Sequence, residues 1–462
     1  MHAGVDVRTL RPREFSRLDA NGVAYLDYAG AALYPASIVR RDARRLQQRI
    51  YGNPHSENAP SRASTSMLEE ARAETLRFFD GDPREYDVVF TANASGAMRI
   101  LAEAFPFGVG SRLVMTADNH NSVNGLRVPA MERGADVQYV PLESDLRAAD
   151  PRSWLRHAIA PSLFAYPAQS NFSGVRHPLH WAKTARSQGY HVLLDAAAYA
   201  SSSPLSLADV PADFVAISYY KLFGYPTGVG ALLVRHDALA ALRRRYFAGG
   251  TVEYVSVQND RFLPRGGGTA FEDGTPPFLS MPAVCDGLRW LTRVGMERIQ
   301  QHVCGLTTAL LDRFAGLGVD RVRVYGPVDV QDRGGIVAFN LCAGGCIIDY
   351  EIVEAAARER GIAIRGGCFC NPGAAEHAFG FRADRARECM RGRFSIPRFR
   401  ACMDGAPVGA LRASIGVATS EEDLDRLLEL AADLTAWSGG LSPRVDPRRL
   451  KPALYRTSTR AG

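Results

Sequence analysis

Two short apolar runs near the middle of the chain each end at a charged side chain. The first, residues 191–194, stops at Asp195, and the second, residues 212–218, stops just before Lys221. Runs of this length, bounded by turn-forming residues, are typical of buried strands. Open α/β sheets bind their ligands beyond the carboxyl ends of such strands. The pattern therefore predicts an α/β fold in which Asp195 and Lys221 lie at the ligand-binding edge of a sheet.

A lysine at the end of a buried strand restricts the chemistry of the site. A buried ammonium group is costly unless it is paired or neutral, and a neutral lysine amine forms a Schiff base with a carbonyl group. A carboxylate just upstream can hold a protonated pyridine nitrogen. Lys221 and Asp195 are together the pair that a pyridoxal phosphate (PLP) site needs, so we expect PLP as the cofactor.

The composition is that of a globular protein with more than one core. The 462 residues are 46% hydrophobic and 23% charged, and a chain of this length exceeds one ordinary domain. No apolar run reaches the roughly 18 residues that span a bilayer. The N-terminal residues lack the apolar region of a secretory signal. We therefore expect a cytoplasmic protein that does not bind membranes.

Charge and cysteine content argue against two further classes of protein. The net charge of +6 comes largely from scattered arginines without a long basic block, which gives little support to nucleic-acid binding. The chain has eight cysteines. Without a signal peptide, we expect them to be reduced thiols rather than a disulfide framework.

The order of patterns along the chain predicts two domains. From about residue 20 to 290, short apolar runs alternate with helical patterns, which indicates βαβ units and a parallel sheet. A helix-rich stretch then leads into a smaller unit with strands in GGIVAFNL and GIAIR and an amphipathic helix capped at Ser420. We expect an N-terminal extension (1–20), a large domain (21–290), a small C-terminal domain (291–440) and an extended or disordered tail (441–462).

Three loops that follow predicted strands supply further candidate groups. One is a small-residue turn that opens a helix at Ala94 and Ser95, where free N–H groups and the helix dipole make either a phosphate site or an ordinary βα turn. His120 follows the next strand; a lone histidine is usually structural, but here it could lie over the cofactor ring. Asn171 follows another strand, in a loop that either supplies amide contacts or is a turn held by Asn and Ser side chains.

Two cysteines one residue apart, Cys368 and Cys370, follow a predicted strand in the string RGGCFCNPG. Half of a metal site is one interpretation, but no second cysteine pair has zinc-like spacing and His377 alone is poor support, so we expect no metal. Inert buried cysteines are the second interpretation. The third is a reactive thiol on a flexible, glycine-flanked loop near Arg365, since cations lower the pKa of a thiol. Beside a PLP site, such a thiol can attack the sulfur of a cysteine substrate.

Seven strings along the chain together resemble a known family. They are YLDYAGAALYP, YGNPHS, FAYPAQSNFSGVRHPL, LLDAAAY, ISYYKLFGYPTGVGALLV, FEDGT and IRGGCFCNPGA. They resemble the class V aminotransferase-like branch of the fold-type I PLP enzymes, which contains the cysteine desulfurases. They are most similar to the N-terminal desulfurase domain of molybdenum cofactor sulfurases. The resemblance covers roughly residues 20–435 and implies an α/β fold, with a mostly parallel central sheet in a large domain and a smaller α+β C-terminal domain.

The resemblance also implies a role for each matching position. Lys221 looks like the Schiff-base lysine and acid/base, and Asp195 like the partner of the pyridinium nitrogen. His120 looks like the ring-stacking histidine and a second candidate acid/base. Cys370 aligns with the cysteine that forms a persulfide. The other implied contacts go to the phosphate, from the Ala94 N–H, Ser95, Ser218 and, across a homodimer, Thr275, and to the substrate carboxylate, from Asn171, Arg412 and, as a further candidate, Arg365.

Some positions depart from the family pattern. Ala198 stands where many desulfurases carry a glutamine to the cofactor's phenolic oxygen, Tyr220 where many have histidine, and Ala375 where a cysteine often occurs. The sulfurase branch varies at the first two positions, so PLP binding is still expected. Molybdenum cofactor sulfurases usually continue into a C-terminal domain that binds the cofactor to be sulfurated. In a chain of 462 residues we expect that domain to be absent, so the resemblance does not predict the sulfur acceptor or whether it is the molybdenum cofactor.

We therefore expect a PLP-dependent cysteine desulfurase that converts L-cysteine to L-alanine and holds the sulfur as a persulfide on Cys370 for transfer to an acceptor. One alternative keeps PLP and changes the reaction to that of a C–S lyase (β-elimination), an epimerase or an aminotransferase, because the same scaffold supports all of these. A second alternative is a scaffold or regulatory protein without catalysis, against which the retention of Lys221, Asp195, His120 and Cys370 argues.

Overall fold

The computed structural model describes residues 6–393, 395–403 and 406–436 of the chain. The strands, in chain order, are β1 (Ala24–Tyr25), β2 (Tyr86–Thr91), β3 (Arg112–Thr116), β4 (Asp136–Val140), β5 (Ser162–Pro167), β6 (Tyr190–Asp195), β7 (Phe214–Ser218), β8 (Gly230–Arg235), β9 (Val252–Val255), β10 (Phe262–Pro264), β11 (Val322–Tyr325), β12 (Ile336–Ala343), β13 (Cys346–Ile347), β14 (Ile362–Ala363), β15 (Arg365–Gly367) and β16 (Ala410–Ser414). The α-helices are α1 (Leu10–Glu14), α2 (Arg17–Ala20), α3 (Ala36–Gln48), α4 (Ala59–Phe78), α5 (Ala94–Ala104), α6 (Asn121–Asn124), α7 (Arg127–Glu132), α8 (Trp181–Ser187), α9 (Tyr219–Phe223), α10 (His236–Ala241), α11 (Met281–Val294), α12 (Met296–Leu317), α13 (Tyr350–Glu359), α14 (Pro372–Ala378), α15 (Ala383–Cys389), α16 (Ile396–Cys402) and α17 (Glu421–Thr435).

The largest sheet has seven strands in the order β2-β8-β7-β6-β5-β3-β4. Strand β8 runs antiparallel to its neighbours β2 and β7, and the remaining neighbouring pairs are parallel. All strands of this sheet except β8 therefore direct their carboxyl ends to the same edge. The expected α/β architecture with a mostly parallel central sheet is confirmed.

Alternate residues of the central strands face opposite sides of this sheet, and helices cover both sides. In β5, Phe164 and Tyr166 belong to one core cluster, together with residues of α4, α8, α11 and α12. Leu163 and Ala165 belong to a second cluster, which includes residues of α5. A strand that is buried on both faces is apolar at nearly every position. This is the reason that these strands are continuous apolar runs in the sequence.

A second sheet forms from the C-terminal part of the chain, in the order β11-β12-β16-β15 with β13 paired to β12. Its neighbouring strands are antiparallel. Helix α17 packs against β12 with Leu424 and Leu427 fully buried. The predicted capping box is present, because Ser420 and Asp423 each satisfy a backbone N–H of the first turn of α17.

The N-terminal segment is packed against this second sheet. Strand β1 pairs in parallel with β14, and Arg11 forms a salt bridge of 2.5 Å with the nearly buried Asp423. Asp27, two residues beyond β1, forms a bridge with Ser414 of β16. The predicted domain division at residues 20, 290 and 440 stays a prediction. The predicted tail, residues 441–462, lies outside the described residues.

The expectation that the cysteines are reduced is wrong for one pair. Cys389, at the end of α15, and Cys402, at the end of α16, form a disulfide. Composition treats all cysteines alike, whereas the packing of Phe399 and Met403 between these two short helices brings this pair to a Cα separation of 5.6 Å, which is typical of disulfides.

The part of the chain that the structure describes has neither a membrane-spanning helix nor a metal-binding cluster. None of its helices combines the length and the hydropathy that a membrane span requires. None of its groups of His, Cys, Asp and Glu side chains is arranged to hold a metal ion with three or more ligands.

Candidate active site

A small cavity lies at the carboxyl edge of the seven-stranded sheet. Its volume is about 140 Å³. The loops that follow β2, β3, β5, β6 and β7 contribute to its wall, because the carboxyl ends of parallel strands meet at one edge. The predicted residues that line it are Lys221, Asp195, His120, Ala94, Ser95, Ser218 and Asn171.

Lys221 lies on α9, the short helix that follows β7, and its side chain lines the cavity. Burial lowers the pKa of Lys221, and the nearby Asp195 carboxylate opposes this shift. Its ammonium group has neither a hydrogen bond nor an ion pair with another described residue. Such a lysine is available as the neutral amine, the form that Schiff-base formation needs.

Asp195 and His120 each keep one functional atom available. Asp195 Oδ1 accepts a hydrogen bond from Ala197 N at 3.0 Å, while Oδ2 has no donor among the described residues. His120 Nδ1 accepts from Ser122 N at 3.1 Å, which leaves the proton of the neutral ring on Nε2. Burial lowers the pKa of His120 and so favours that neutral ring.

The predicted anion site is the start of α5. Asn93 caps this helix with its side chain, and Ala94 N donates to the Ser218 hydroxyl at 2.8 Å. Strand β8 approaches this turn only because residue 230 is glycine: a Cβ there would lie 2.5 Å from the Cα of Asn93. Ser218 accepts from the helix and keeps its own proton, so its hydroxyl can donate to a phosphate bound at the helix dipole.

The Cys370 loop is held in an unfavourable backbone conformation. Phe369 and Cys370 have φ values of +55° and +56°, a region that costs a non-glycine residue about 1–3 kcal/mol. Asn171 Nδ2 donates to Phe369 O at 2.6 Å, Asn121 N donates to Cys370 O at 2.7 Å, and Asn371 Nδ2 donates to Asn171 Oδ1 at 2.9 Å. Amides from distant parts of the chain thus contact the backbone of this loop, and its predicted flexibility stays a prediction.

This loop places the Cys370 thiol beside the cavity. A negative charge on Cys370 acts to raise the pKa of Lys221 and of Arg412, whereas burial lowers both pKa values by more. The sulfur therefore lies within electrostatic range of the amine and of the guanidinium. The thiol is also exposed, so it can meet molecules from solvent as well as a substrate in the cavity.

Arg412 and Asp27 form a buried ion pair next to the cavity. Arg412 Nη1 donates to Asn171 O at 2.9 Å and Nη2 lies 3.2 Å from Asp27 Oδ1, while the buried Nε has no partner among the described residues. Burial lowers the pKa of Arg412 to about 10, so it stays charged at neutral pH. Arg412 does not line the cavity, and its contact with a substrate carboxylate stays a prediction.

Asp27 was not among the predicted site residues. It also pairs with Arg365, at 2.6 Å, whose side chain is half exposed; Arg365 does not line the cavity. A signal for Asp27 exists in the string YLDYAG, where an acid follows an apolar run as it does at Asp195.

Thr275 does not line the cavity of its own chain. Its hydroxyl accepts a hydrogen bond from Asn53 Nδ2 at 3.3 Å, and the preceding residue, Gly274, donates to Gly249 O at 3.0 Å. The phosphate contact across a dimer stays a prediction.

The groups around the cavity fit the parts of PLP. The unpartnered amine of Lys221 suits its aldehyde, and the free oxygen of Asp195 suits a protonated ring nitrogen. The start of α5, with Ser218, suits its phosphate. An amine without a partner and a carboxylate with one unused oxygen are the two structural observations that carry this fit.

Comparison with known proteins identifies the family of this chain. The profile of the family described as aminotransferase class-V matches residues 24–427. The chain belongs to the aminotransferase class-V family. This class-V protein is 38% identical over 464 residues to the molybdenum cofactor sulfurase of Homo sapiens, with 94% of this chain and 52% of the relative covered. It is 35% identical over 460 residues to that of Danio rerio, with 93% and 55% covered. The chain thus spans about half the length of these curated relatives.

A solved structure has the same architecture. The apo structure of a cysteine desulfurase from Thermococcus onnurineus NA1 matches with a TM-score of 0.80 at 24% sequence identity, covering 94% of this chain and 100% of the other. The expected fold-type I architecture is confirmed by this likeness.

Proposed function

We propose that this chain is a PLP-dependent cysteine desulfurase, which converts L-cysteine to L-alanine and keeps the sulfur as a persulfide on Cys370. The observation that carries the proposal is the Cys370 loop, which is held with two residues at positive φ beside the Lys221 cavity. Such backbone strain persists where the surrounding structure is built to hold it, and it clusters at functional sites. The likeness to molybdenum cofactor sulfurases supports the same reaction.

The cofactor would be held by groups from four parts of the sheet edge. When bound, PLP supplies an electron sink for the charge that develops at the substrate α-carbon. Asp195 would keep its ring nitrogen protonated through the unused carboxylate oxygen, and His120 would lie against the ring. The Ala94 N–H, Ser95 and Ser218 would hold its phosphate.

Arg412 and Lys221 would act on the substrate itself. The Arg412 guanidinium would bind the substrate carboxylate in a charge-assisted hydrogen bond, with Asn171 beside it. Lys221 would carry the proton at the substrate α-carbon. Because burial lowers the pKa of Lys221, its amine is a more competent base near neutral pH than an exposed lysine.

Cys370 would take the sulfur. Its thiolate attacks the substrate sulfur, so that a sulfur–sulfur bond forms and the substrate Cβ–S bond breaks. The electron pair of that bond stays on Cβ, which takes up a proton. The products are L-alanine and the Cys370 persulfide, and the step needs no external oxidant or reductant.

Incubation of the PLP-loaded chain with L-cysteine tests the proposal. We expect alanine to form together with a persulfide that mass spectrometry maps to Cys370. Cys370→Ala should lose both, whereas Cys346→Ala, which removes another exposed thiol on β13, should lose neither. Pyruvate and ammonia in place of alanine, or full alanine formation by Cys370→Ala, would overturn the desulfurase assignment.

We further propose a homodimer in which Thr275 completes the phosphate site of the partner. Exposed apolar side chains on the β9–β10 hairpin and its flanks support this, because large apolar patches on a surface often mark an interface. The exposed side chains there are Tyr246, Tyr254, Val257, Phe262 and Leu263. Sedimentation should give a dimer. Thr275→Ala should weaken PLP binding and leave the dimer intact. A monomer that binds PLP equally well would contradict the shared site.

The proposed reaction also sets what else the protein must meet. Its small-molecule substrate is L-cysteine, and a sulfur acceptor must reach Cys370 from solvent, where the thiol is exposed. The cytoplasm, expected from the sequence, would keep that thiol reduced, although the same compartment does not favour the Cys389–Cys402 disulfide.

A further inference from the structure

One short region of the described chain is rich in positive charge. Residues 380–405 contain seven arginines and three carboxylates, a net charge of +4, while the whole chain carries +6. The structure gathers these arginines on α15, α16 and the residues that join them, which we call the arginine hairpin (residues 380–403). The sequence interpretation of scattered arginines is therefore wrong for this region.

Part of this charge is neutralised within the protein and part is not. The hairpin's ion pairs join Arg382 to Asp384, Arg385 to Glu388, and Arg400 to Asp349 of the α13 cap. The arginines that are exposed and have no carboxylate partner among the described residues are Arg387, Arg391, Arg393 and Arg398. Arg398 instead donates to the carbonyl oxygens of residues 391 and 393, at 3.1 Å each.

The arginine hairpin has the composition of a protein-binding surface. Met390 and Ile396 are 54% and 39% exposed and lie among the unpaired arginines. Arg and Met are enriched in protein–protein interfaces. The apolar side of the hairpin, with Phe399, Met403 and the Cys389–Cys402 disulfide, faces inward, so that the arginines lie on the outer side.

The arginine hairpin is close to the Cys370 loop. Only the seven-residue helix α14, about 10 Å long at 1.5 Å per residue, separates Cys370 from its start. A row of aromatic contacts also joins the two, with ring centroids 5.4 to 6.3 Å apart: Phe369–Phe172, Phe172–Phe379, Phe379–Phe381 and Phe381–Phe399. The hairpin is therefore joined to the Cys370 loop by one short helix and by a continuous row of packed rings.

We propose that the arginine hairpin is the docking surface for an acidic protein that takes sulfur from Cys370; this rests on the proposed desulfurase function. Carboxylates of the partner would pair with Arg387, Arg391, Arg393 and Arg398, and apolar side chains would cover Met390 and Ile396. A thiol of the docked protein then attacks the outer sulfur of the persulfide. The new sulfur–sulfur bond forms on the acceptor, the old one breaks, and Cys370 returns to a thiolate, so electrons balance without a further reagent.

The test uses two small helical bundles as acceptor proteins, each with one surface cysteine. One carries an acidic face around that cysteine, and the other has glutamine in place of each carboxylate. The PLP-loaded full chain is first loaded with persulfide, and the rate of sulfur transfer to each bundle is measured at low and high salt. We expect the acidic bundle to react at least about tenfold faster at low salt, within the range of electrostatic steering.

Charge reversal of the arginine hairpin, R387E/R391E/R393E/R398E, should remove this advantage and its salt dependence. The matched control, R40E/R44E/R156E/R358E, changes the net charge equally at exposed arginines that form no ion pair with described residues and should retain the advantage. Transfer to 2-mercaptoethanol and single-turnover alanine formation should be unchanged in both, which shows that each variant is folded.

Three results would overturn the docking proposal. These are equal rates for the two bundles, an undiminished advantage in the hairpin variant, and tighter binding of a DNA duplex than of the acidic bundle. Docking is also measured without sulfur transfer, by the fluorescence anisotropy of the acidic bundle as it binds Cys370→Ala holoprotein. If the wild-type chain forms no persulfide, the desulfurase proposal fails. The same anisotropy comparison of the hairpin and control variants then still supports or refutes the hairpin as a docking surface.

Discussion

Replacement of Asn371 by alanine should release the Cys370 loop without unfolding the protein. Asn371 is fully buried; its Nδ2 donates to Asp118 O at 2.7 Å and Asn171 Oδ1 at 2.9 Å, and its Oδ1 accepts from the first turn of α14. Three such bonds contribute roughly 1.5–4.5 kcal/mol net. The positive φ angles of Phe369 and Cys370 cost about 2–6 kcal/mol together. Because the two quantities are similar, the backbone should relax once the three bonds are removed.

The assay for this change is single-turnover persulfide formation. We expect the rate to fall by about 100-fold, the typical result of a misplacement near 1 Å, while the affinity for PLP is unchanged because Asn371 does not line the cavity. Asn371→Asp keeps the helix cap and loses both donated bonds, so its rate should fall similarly.

Asn58→Ala is the control for lost stability alone. Asn58 caps α4 by accepting from Ser61 N at 3.0 Å, far along the chain from the thiol, and its removal should cost about 1 kcal/mol without slowing persulfide formation. A wild-type rate in Asn371→Ala would refute the reasoning, since it would show that these three bonds do not hold the thiol in position.

Three further changes address the cavity itself. Burial lowers the pKa of Lys221, so between its folded and ordinary pKa values the unfolded chain binds more protons than the folded chain. Lys221→Met should therefore raise the urea midpoint of the apoprotein at pH 7. The difference in midpoint between variant and wild type should shrink as the pH approaches about 10.4. An unchanged or lowered midpoint would contradict this. Asp27→Ala leaves the buried Arg412 without its carboxylate and should cost about 3–5 kcal/mol in calorimetric unfolding, so a loss below about 1 kcal/mol would show that this pair is not a major contributor. Ser218→Ala removes the hydroxyl that, beside the Ala94 N–H, would donate to the phosphate, and should weaken PLP binding roughly 5- to 150-fold in a fluorescence titration; equal affinity would argue against the α5 phosphate site.

Local patterns along the chain predicted the large sheet well. The apolar run at 191–194 corresponds to β6, which begins one residue earlier. The run at 212–218 corresponds to β7, which begins two residues later. Both runs end where predicted, at Asp195 and just before Lys221. The agreement has a physical cause: a strand buried on both faces must be apolar throughout, so its boundaries are visible in the sequence.

Contacts between distant residues were not predictable in the same way. Asp27 and Arg412 are far apart in the chain, and nothing local to either indicates the other. The glycines beside Cys370 are visible in the sequence, whereas the amides that contact the backbone of its loop come from Asn121 and Asn171. The Cys389–Cys402 pair was missed because composition does not say which thiols meet.

The sequence by itself determined that strands deliver an amine and an acid to one edge of a parallel sheet, and hence that the chemistry of PLP is available there. These features depend on burial and on the period of the backbone, which act over a few residues. Tertiary structure decided the rest: the ion pair of Arg412, the strained position of Cys370 and the gathering of arginines beside it. Hydrogen bonds and ion pairs need particular atoms within about 3 Å of each other, and only the folded chain sets that distance.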